Sequence, residues 1–236
     1  MEFEPLTQGF RHIGAVLRGE PKPVDDCVRR WSVGTTVLYV ALTVLGTAVY
    51  GAAMGWWRSP LQACFTAIKF PLIILLTTLG NGLLNGMLAP LLGINLSFRQ
   101  SLQAILMSFM ISGAILGSVS PVIFYLVWNA PQMTAHATGV YAFIQLTQVV
   151  VVAFAGVVAN LRLEQLLQRV SGSATISRRV LYAWLAGNLF LGSQLSWILR
   201  PFIGSPEMRV EFLRKTAFDG NFYETVFRAL RHLFSP

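Results

Sequence analysis

The sequence predicts an all-α fold, a polytopic bundle of about five transmembrane spans with amphipathic interfacial helices at both termini. Three observations predict it. Of 236 residues, 54% are hydrophobic and only 12% charged, against about 25% charged in a soluble domain. Several apolar runs exceed about 18 residues, the length at which lipid replaces water as the solvent. Lys and Arg cluster in the segments flanking those runs, so the formal charge of +8 points to anionic headgroups and not to nucleic acid.

Residues 1–30 read as a cytoplasmic amphipathic segment. Leu6, Phe10, Ile13 and Leu17 fall on one helical face, and Pro21 and Pro23 stop the helix. That face suits either an in-plane anchor on a leaflet or packing against the protein's own loops. The segment has no apolar core region of the signal-peptide kind, so the first span is expected to act as its own insertion signal.

The bundle is expected over residues 31–203. Span one covers about 32–55 and closes on Trp56-Trp57-Arg58, an interfacial belt. Span two covers about 61–92, long for one upright crossing of about 20 residues. Its second half, Gly80-Asn-Gly-Leu-Leu-Asn-Gly86, is polar and glycine-rich, which suits a tilted, kinked or unwound helix. Span three covers about 102–128, with a kink expected at Ser120-Pro121. Span four covers about 139–161, a basic loop follows with Arg162, Arg169, Arg178 and Arg179, and span five covers about 180–199. Pro201 disfavours helical geometry at Arg200, so span five should end there, its arginine meeting the carbonyl end of the dipole.

Residues 204–236 read as a surface-lying amphipathic tail. Asn221 with Glu224 resembles a capping box. Tyr223, Val226, Phe227, Leu230, Leu233 and Phe234 then form an apolar stripe too short to span.

Positive residues set the orientation. With an inside N-terminus, the inside segments hold Arg11, Arg18, Lys22, Arg29, Arg30, Arg99 and the arginines of 162–179, while the outside loops hold only Arg58 and Lys69. This predicts a cytoplasmic N-terminus and an external C-terminus. The basic residues of the tail run against that pattern, and a hairpin in span two would put the tail inside.

Lys69-Phe-Pro-Leu-Ile-Ile-Leu-Leu-Thr-Thr78, Leu96-Ser-Phe-Arg-Gln100, Gln194-Leu-Ser-Trp-Ile-Leu-Arg-Pro-Phe-Ile-Gly-Ser-Pro206 and Asn221-Phe-Tyr-Glu224 resemble a group of uncharacterised bacterial integral membrane proteins. That group is similar in span plan to the Yip superfamily, whose eukaryotic members bind Rab GTPases and act in vesicle traffic. The resemblance implies a helical bundle in the bacterial inner membrane with an inside N-terminus and lends no activity. Where the group's pattern has Pro-Ser-Leu, this chain has Gly80-Asn-Gly82.

The candidate polar or partner-contact residues are Lys69, Asn81, Asn85, Gln145, Gln148, Asn188, Gln194 and Arg200. An intramembrane charge such as Lys69 marks a functional position or snorkels to the headgroups. Arg200 is a phosphate or partner contact, or a helix-end anchor. The amides need partners in hydrocarbon, as bridges between helices or as a polar path among spans two, four and five. Gly51/Gly55, Gly82/Gly86 and Gly113/Gly117 are candidate helix-packing pairs, within one bundle or at a dimer seam.

No catalytic, metal or cofactor-binding residues are predicted. The three histidines lie outside the spans, Cys27 and Cys64 flank span one without metal-ligand spacing, and no span contains Asp or Glu. The reading that follows is a non-enzymatic scaffold or accessory subunit whose partners are membrane lipids and a protein or a second copy. A small transporter or channel is the alternative.

Overall fold

The computed structural model describes residues 4–20, 32–132, 138–204 and 209–224. Among the described residues six helices follow one another: α1 (Glu4–Arg18), α2 (Val33–Trp56), α3 (Pro60–Leu91), α4 (Phe98–Trp128), α5 (Thr138–Ser171) and α6 (Ala174–Leu199). Four stretches are long and apolar enough to cross a membrane: α2, Pro60–Leu88 within α3, α4, and Gly139–Ser171 within α5.

Each boundary has a local cause. Pro60 occupies the first position of α3, where its missing N–H costs nothing, and Ser59 Oγ accepts the Gln62 N–H at 3.1 Å. Ser97 and Gln100 close a reciprocal capping box, so α4 starts four residues before the expected span. The α3–α4 turn passes through Gly93 at φ 90° and the α5–α6 turn through Gly172 at φ 65°, conformations that favour glycine. Helix α6 ends at Leu199 and Arg200 turns extended (φ −61°, ψ 153°), as the following proline requires.

Two features differ from the sequence reading, in α3 and after span four. Helix α3 is continuous through Gly80–Gly86 and retains Pro71 and Pro90, so it neither unwinds nor folds as a hairpin there. The basic segment after span four is helical, because α5 runs to Ser171 and α6 begins at Ala174. Arg178 reaches Glu164 at 3.3 Å across that tight hairpin. Ser120 and Pro121 lie inside the unbroken α4.

Helix α2 is the hub, packing on both α3 and α4; α5 packs on α4, and α6 closes against α3 and α5. Small residues make this closeness possible. A Cβ on Gly51 would lie 2.5 Å from the Thr66 carbonyl oxygen, and one on Gly55 2.7 Å from that of Gln62, so this pair seats α2 on α3. Gly113 and Gly117 face Thr43 and Gly46 of α2, with Gly117 2.9 Å from the Gly46 Cα in the same construction. Gly82 and Gly86 receive Leu102 and Phe98 of α4. All three glycine pairs therefore pack within one bundle.

The outer face is apolar. On α5, Phe143, Leu146, Val149, Val150, Phe154 and Val157 are exposed together, a surface suited to lipid and not to water. Trp56 stacks with Trp128 at 6.1 Å and with Phe124 at 5.5 Å, forming an aromatic belt at the α2 and α4 ends. Trp57 turns inward, and its indole N–H donates to the Pro131 carbonyl at 3.0 Å.

The described ends of the chain pack on this frame. On α1, Ile13 and Val16 are buried in the cluster that contains Tyr39 of α2, and His12 Nε2 meets the Tyr39 hydroxyl at 2.9 Å. Ile13 and Leu17 of the predicted face thus pack on the protein. In the tail, Phe222 N–H donates to Gln194 at 3.3 Å and Tyr223 stacks on Phe190 at 5.3 Å. That places residue 222 beside α6, about 8 Å below its end at 1.5 Å per residue. Asn221 and Glu224 make the expected reciprocal contacts. The predicted stripe from Val226 to Phe234, and Cys27, lie outside the described residues.

Candidate functional site

Two polar assemblies and one groove gather most of the predicted residues. The first assembly joins α3 to α6. Asn81 Nδ2 donates to the Trp184 carbonyl at 3.0 Å and to Asn188 Oδ1 at 2.7 Å, while Asn81 Oδ1 accepts from Asn85 Nδ2 at 2.6 Å. Asn81 thus uses both donors and one acceptor. Gly187 leaves room for its oxygen, since a Cβ there would collide with it. The arrangement is an inter-helix clamp.

The second assembly lies on one face of α3. Gln62, Thr66 and Lys69 recur at helical spacing and grip the segment that follows α6. Gln62 Nε2 donates to the Pro201 and Phe202 carbonyls at 3.1 and 2.7 Å, and Thr66 Oγ1 to Phe202 at 2.8 Å. Lys69 Nζ donates to Pro201 at 2.9 Å and sits 5.3 Å from the Phe212 ring. Lys69 is fully buried within the protein. Phe202 packs edge-on to Phe70 at 5.9 Å, and Ile203 is buried beside Tyr50, Ala53 and Met54. The chain therefore re-enters the bundle directly after α6.

That re-entry closes one end of a groove of about 1160 Å³, larger than the roughly 300–1,000 Å³ of most small-molecule sites. Helices α3 and α5 stand apart here; α4 forms the floor through Phe109, Ser112 and Leu116, and Ser196 of α6 joins the rim. The lining is chiefly apolar. It opens sideways, because Leu146, Val149 and Val152 line it and are exposed.

At the closed end stand Arg200 and Arg214. The Arg200 guanidinium lies 3.2 Å from the Trp197 ring centroid and donates through Nη1 to the Trp197 carbonyl at 3.1 Å. This is the expected helix-end anchor, and it also faces the groove. Deeper in, Gln148 Oε1 accepts the Tyr50 hydroxyl. Gln148 Nε2 is buried without a hydrogen-bond partner, and the residue lines the groove at 6% exposure.

The sequence-predicted residues thus divide. Asn81, Asn85 and Asn188 share one cluster. Gln145, Gln148 and Arg200 line the groove, Gln145 with its amide on the Tyr141 hydroxyl at 3.1 Å. Lys69 belongs to the α3 ladder, and Gln194 holds the tail. Tyr50, Gln62, Thr66 and Arg214 were not singled out by the sequence. The spacing of Gln62 and Thr66 with Lys69 on one face of an apolar helix is the signal that identifies two of this set. Among the described residues, no three His, Cys, Asp or Glu come together to hold a metal ion. No family model, curated protein or solved structure matches this chain.

Proposed function

We propose that the protein is a non-enzymatic scaffold or accessory subunit of an assembly in the bacterial inner membrane. It crosses five times through α2–α6, with a cytoplasmic N-terminus, an external C-terminus and an interfacial tail, on the Yip-like span plan. The Asn81–Asn85–Asn188 clamp carries the reading: these intramembrane amides are spent on joining helices, which is the use expected of an architectural component. The alternation of helix directions supports a fifth crossing by α6. Its far end meets Gln62 near the start of α3, while its near end meets Glu164 near the end of α5. Membrane lipids and a protein partner or second copy are the implied contacts, with no role for nucleic acid.

Affinity purification of the full chain from native membranes, followed by partner identification and mass measurement in nanodiscs, tests this reading. A reproducible stoichiometric partner or a homo-oligomer is expected. A partnerless monomer in both preparations would end it.

One observation favours a transporter as the second reading: the groove lies among α3, α5 and α6, where a path through spans two, four and five is expected. The unbroken α3 and the apolar lining weigh against it. Solute flux in proteoliposomes, lost in Asn85→Leu and Gln148→Leu with folding intact, would support the transporter.

A further inference from the structure

We propose that the groove between α3 and α5 binds one anionic phospholipid taken from the surrounding leaflet, with its phosphate at Arg200 and Arg214 and an acyl chain along the apolar floor. The proposal rests on the membrane reading above and adds a ligand to it.

Length and charge argue for this occupant. The lining of α5 runs from Tyr141 to Gly156, about 22 Å of helix at 1.5 Å per residue. That exceeds the depth of one leaflet, about 15 Å of a 30 Å hydrocarbon core. Residues such as Phe70, Ile74, Leu116 and Val152 offer a chain apolar walls along that length. The side opening allows entry from lipid without passage through water.

The charged end selects the headgroup. Arg200 and Arg214 line the groove there, and among the described lining residues there is no Asp or Glu. Arg200 engages one N–H on Trp197, and a guanidinium carries five in a fork that matches phosphate oxygens. A phospholipid matches both the apolar floor and the basic end, which an apolar transmembrane helix of a partner does not. Midway stands Gln148, which lines the groove at 6% exposure with its Oε1 held by the Tyr50 hydroxyl.

The test uses the full chain, delipidated in mild detergent and returned to nanodiscs of phosphatidylglycerol or phosphatidylcholine with identical acyl chains. Lipid retained through re-extraction is counted by native mass spectrometry. Phosphatidylglycerol should be retained at least about tenfold over phosphatidylcholine, the scale of one lost charge-assisted contact. The Arg200→Gln/Arg214→Gln double variant should lose that preference, and Arg200→Lys/Arg214→Lys should restore part of it. Val152→Trp, which fills the groove, should lower retention of both lipids while leaving the detergent melting temperature within a few degrees of the parent. Inorganic phosphate alone should give no thermal stabilisation. Equal retention of the two lipids, or unchanged retention in Val152→Trp, overturns the proposal and leaves the scaffold reading standing. A protein partner cross-linked through Val149 or Val152 in place of lipid does the same. If the loss in the Arg→Gln variant comes with a melting temperature lowered to the point of unfolding, retention by the Arg→Lys variant decides the matter.

Discussion

Lys69 in α3 donates its Nζ hydrogen to the carbonyl of Pro201, 132 residues further along the chain, over 2.9 Å. A cation within an apolar helix thereby serves a backbone oxygen that has left its own helix. Pro201 follows the last turn of α6, where carbonyls lack intrahelical donors. In hydrocarbon such a group must be satisfied by the protein. The ladder of Gln62, Thr66 and Lys69 meets that need and fixes where residues 201–203 re-enter.

The pairing predicts non-additive loss. Lys69→Met leaves Pro201 one donor, Gln62, and Gln62→Leu leaves it Lys69. Each single change should therefore cost about 1 kcal/mol. The double variant strips the carbonyl of both, and its loss should exceed the sum by about 1 kcal/mol or more. Reversible unfolding in mixed micelles measures the cycle; strict additivity would count against the ladder as a unit.

Glycine placement predicts a contrast between two alanine variants. A Cβ on Gly46 would collide with the Gly113 carbonyl, and one on Gly156 would meet nothing within 4 Å. Gly46→Ala must push α2 from α4, at a cost of about 1–3 kcal/mol. Gly156→Ala should gain up to about 1 kcal/mol of helix propensity. Melting temperatures in one detergent should move in opposite directions, and a shift of both the same way would contradict the packing described.

What could be read from the sequence was what neighbours in sequence decide. The apolar runs gave the helices, Pro201 gave the end of α6, and Asn221 with Glu224 gave a local cap, because each depends on residues within one or two turns. The glycine pairs were legible as packing faces, but not their partners: Gly46 has no glycine four residues away, and its counterpart Gly113 is on another helix. Lys69 was legible as anomalous, and its carbonyl partner was not, since the contact joins distant segments. The α1 face could be seen to need cover. That Ile13 meets the cluster around Tyr39 depends on a contact between distant segments. The groove was invisible for the same reason, being a gap between α3 and α5 and not a property of either.

The asparagine clamp predicts a rank order. Asn81 takes part in three hydrogen bonds, to Asn85, Asn188 and the Trp184 carbonyl, and Asn85 in one of them. At about 0.6 kcal/mol for each bond in a membrane bundle, Asn81→Leu should cost about 2 kcal/mol and Asn85→Leu about 0.6 kcal/mol. Stability measured for the two variants side by side tests the order, and an Asn85 loss equal to that of Asn81 would mean that Asn81 is not the centre.

Five crossings make a prediction about sides that needs no knowledge of function. Asn129 at the end of α4 is exposed at the end of the bundle where Trp57 meets Pro131 and Gln62 meets Phe202, and Asp219 is exposed in the tail. Thr175 is exposed in the first turn of α6, beyond the α5–α6 hairpin at the opposite end. In a Cys27→Ser/Cys64→Ser background, a membrane-impermeant maleimide added to intact cells should label Asn129→Cys and Asp219→Cys. In the proposed orientation, with the arginines flanking α5 and α6 inside, Thr175→Cys should react only after the membrane is opened. Labelling of Thr175→Cys and Asp219→Cys from the same face would mean that α6 does not cross, and the bundle would then span four times with its tail on the cytoplasmic side.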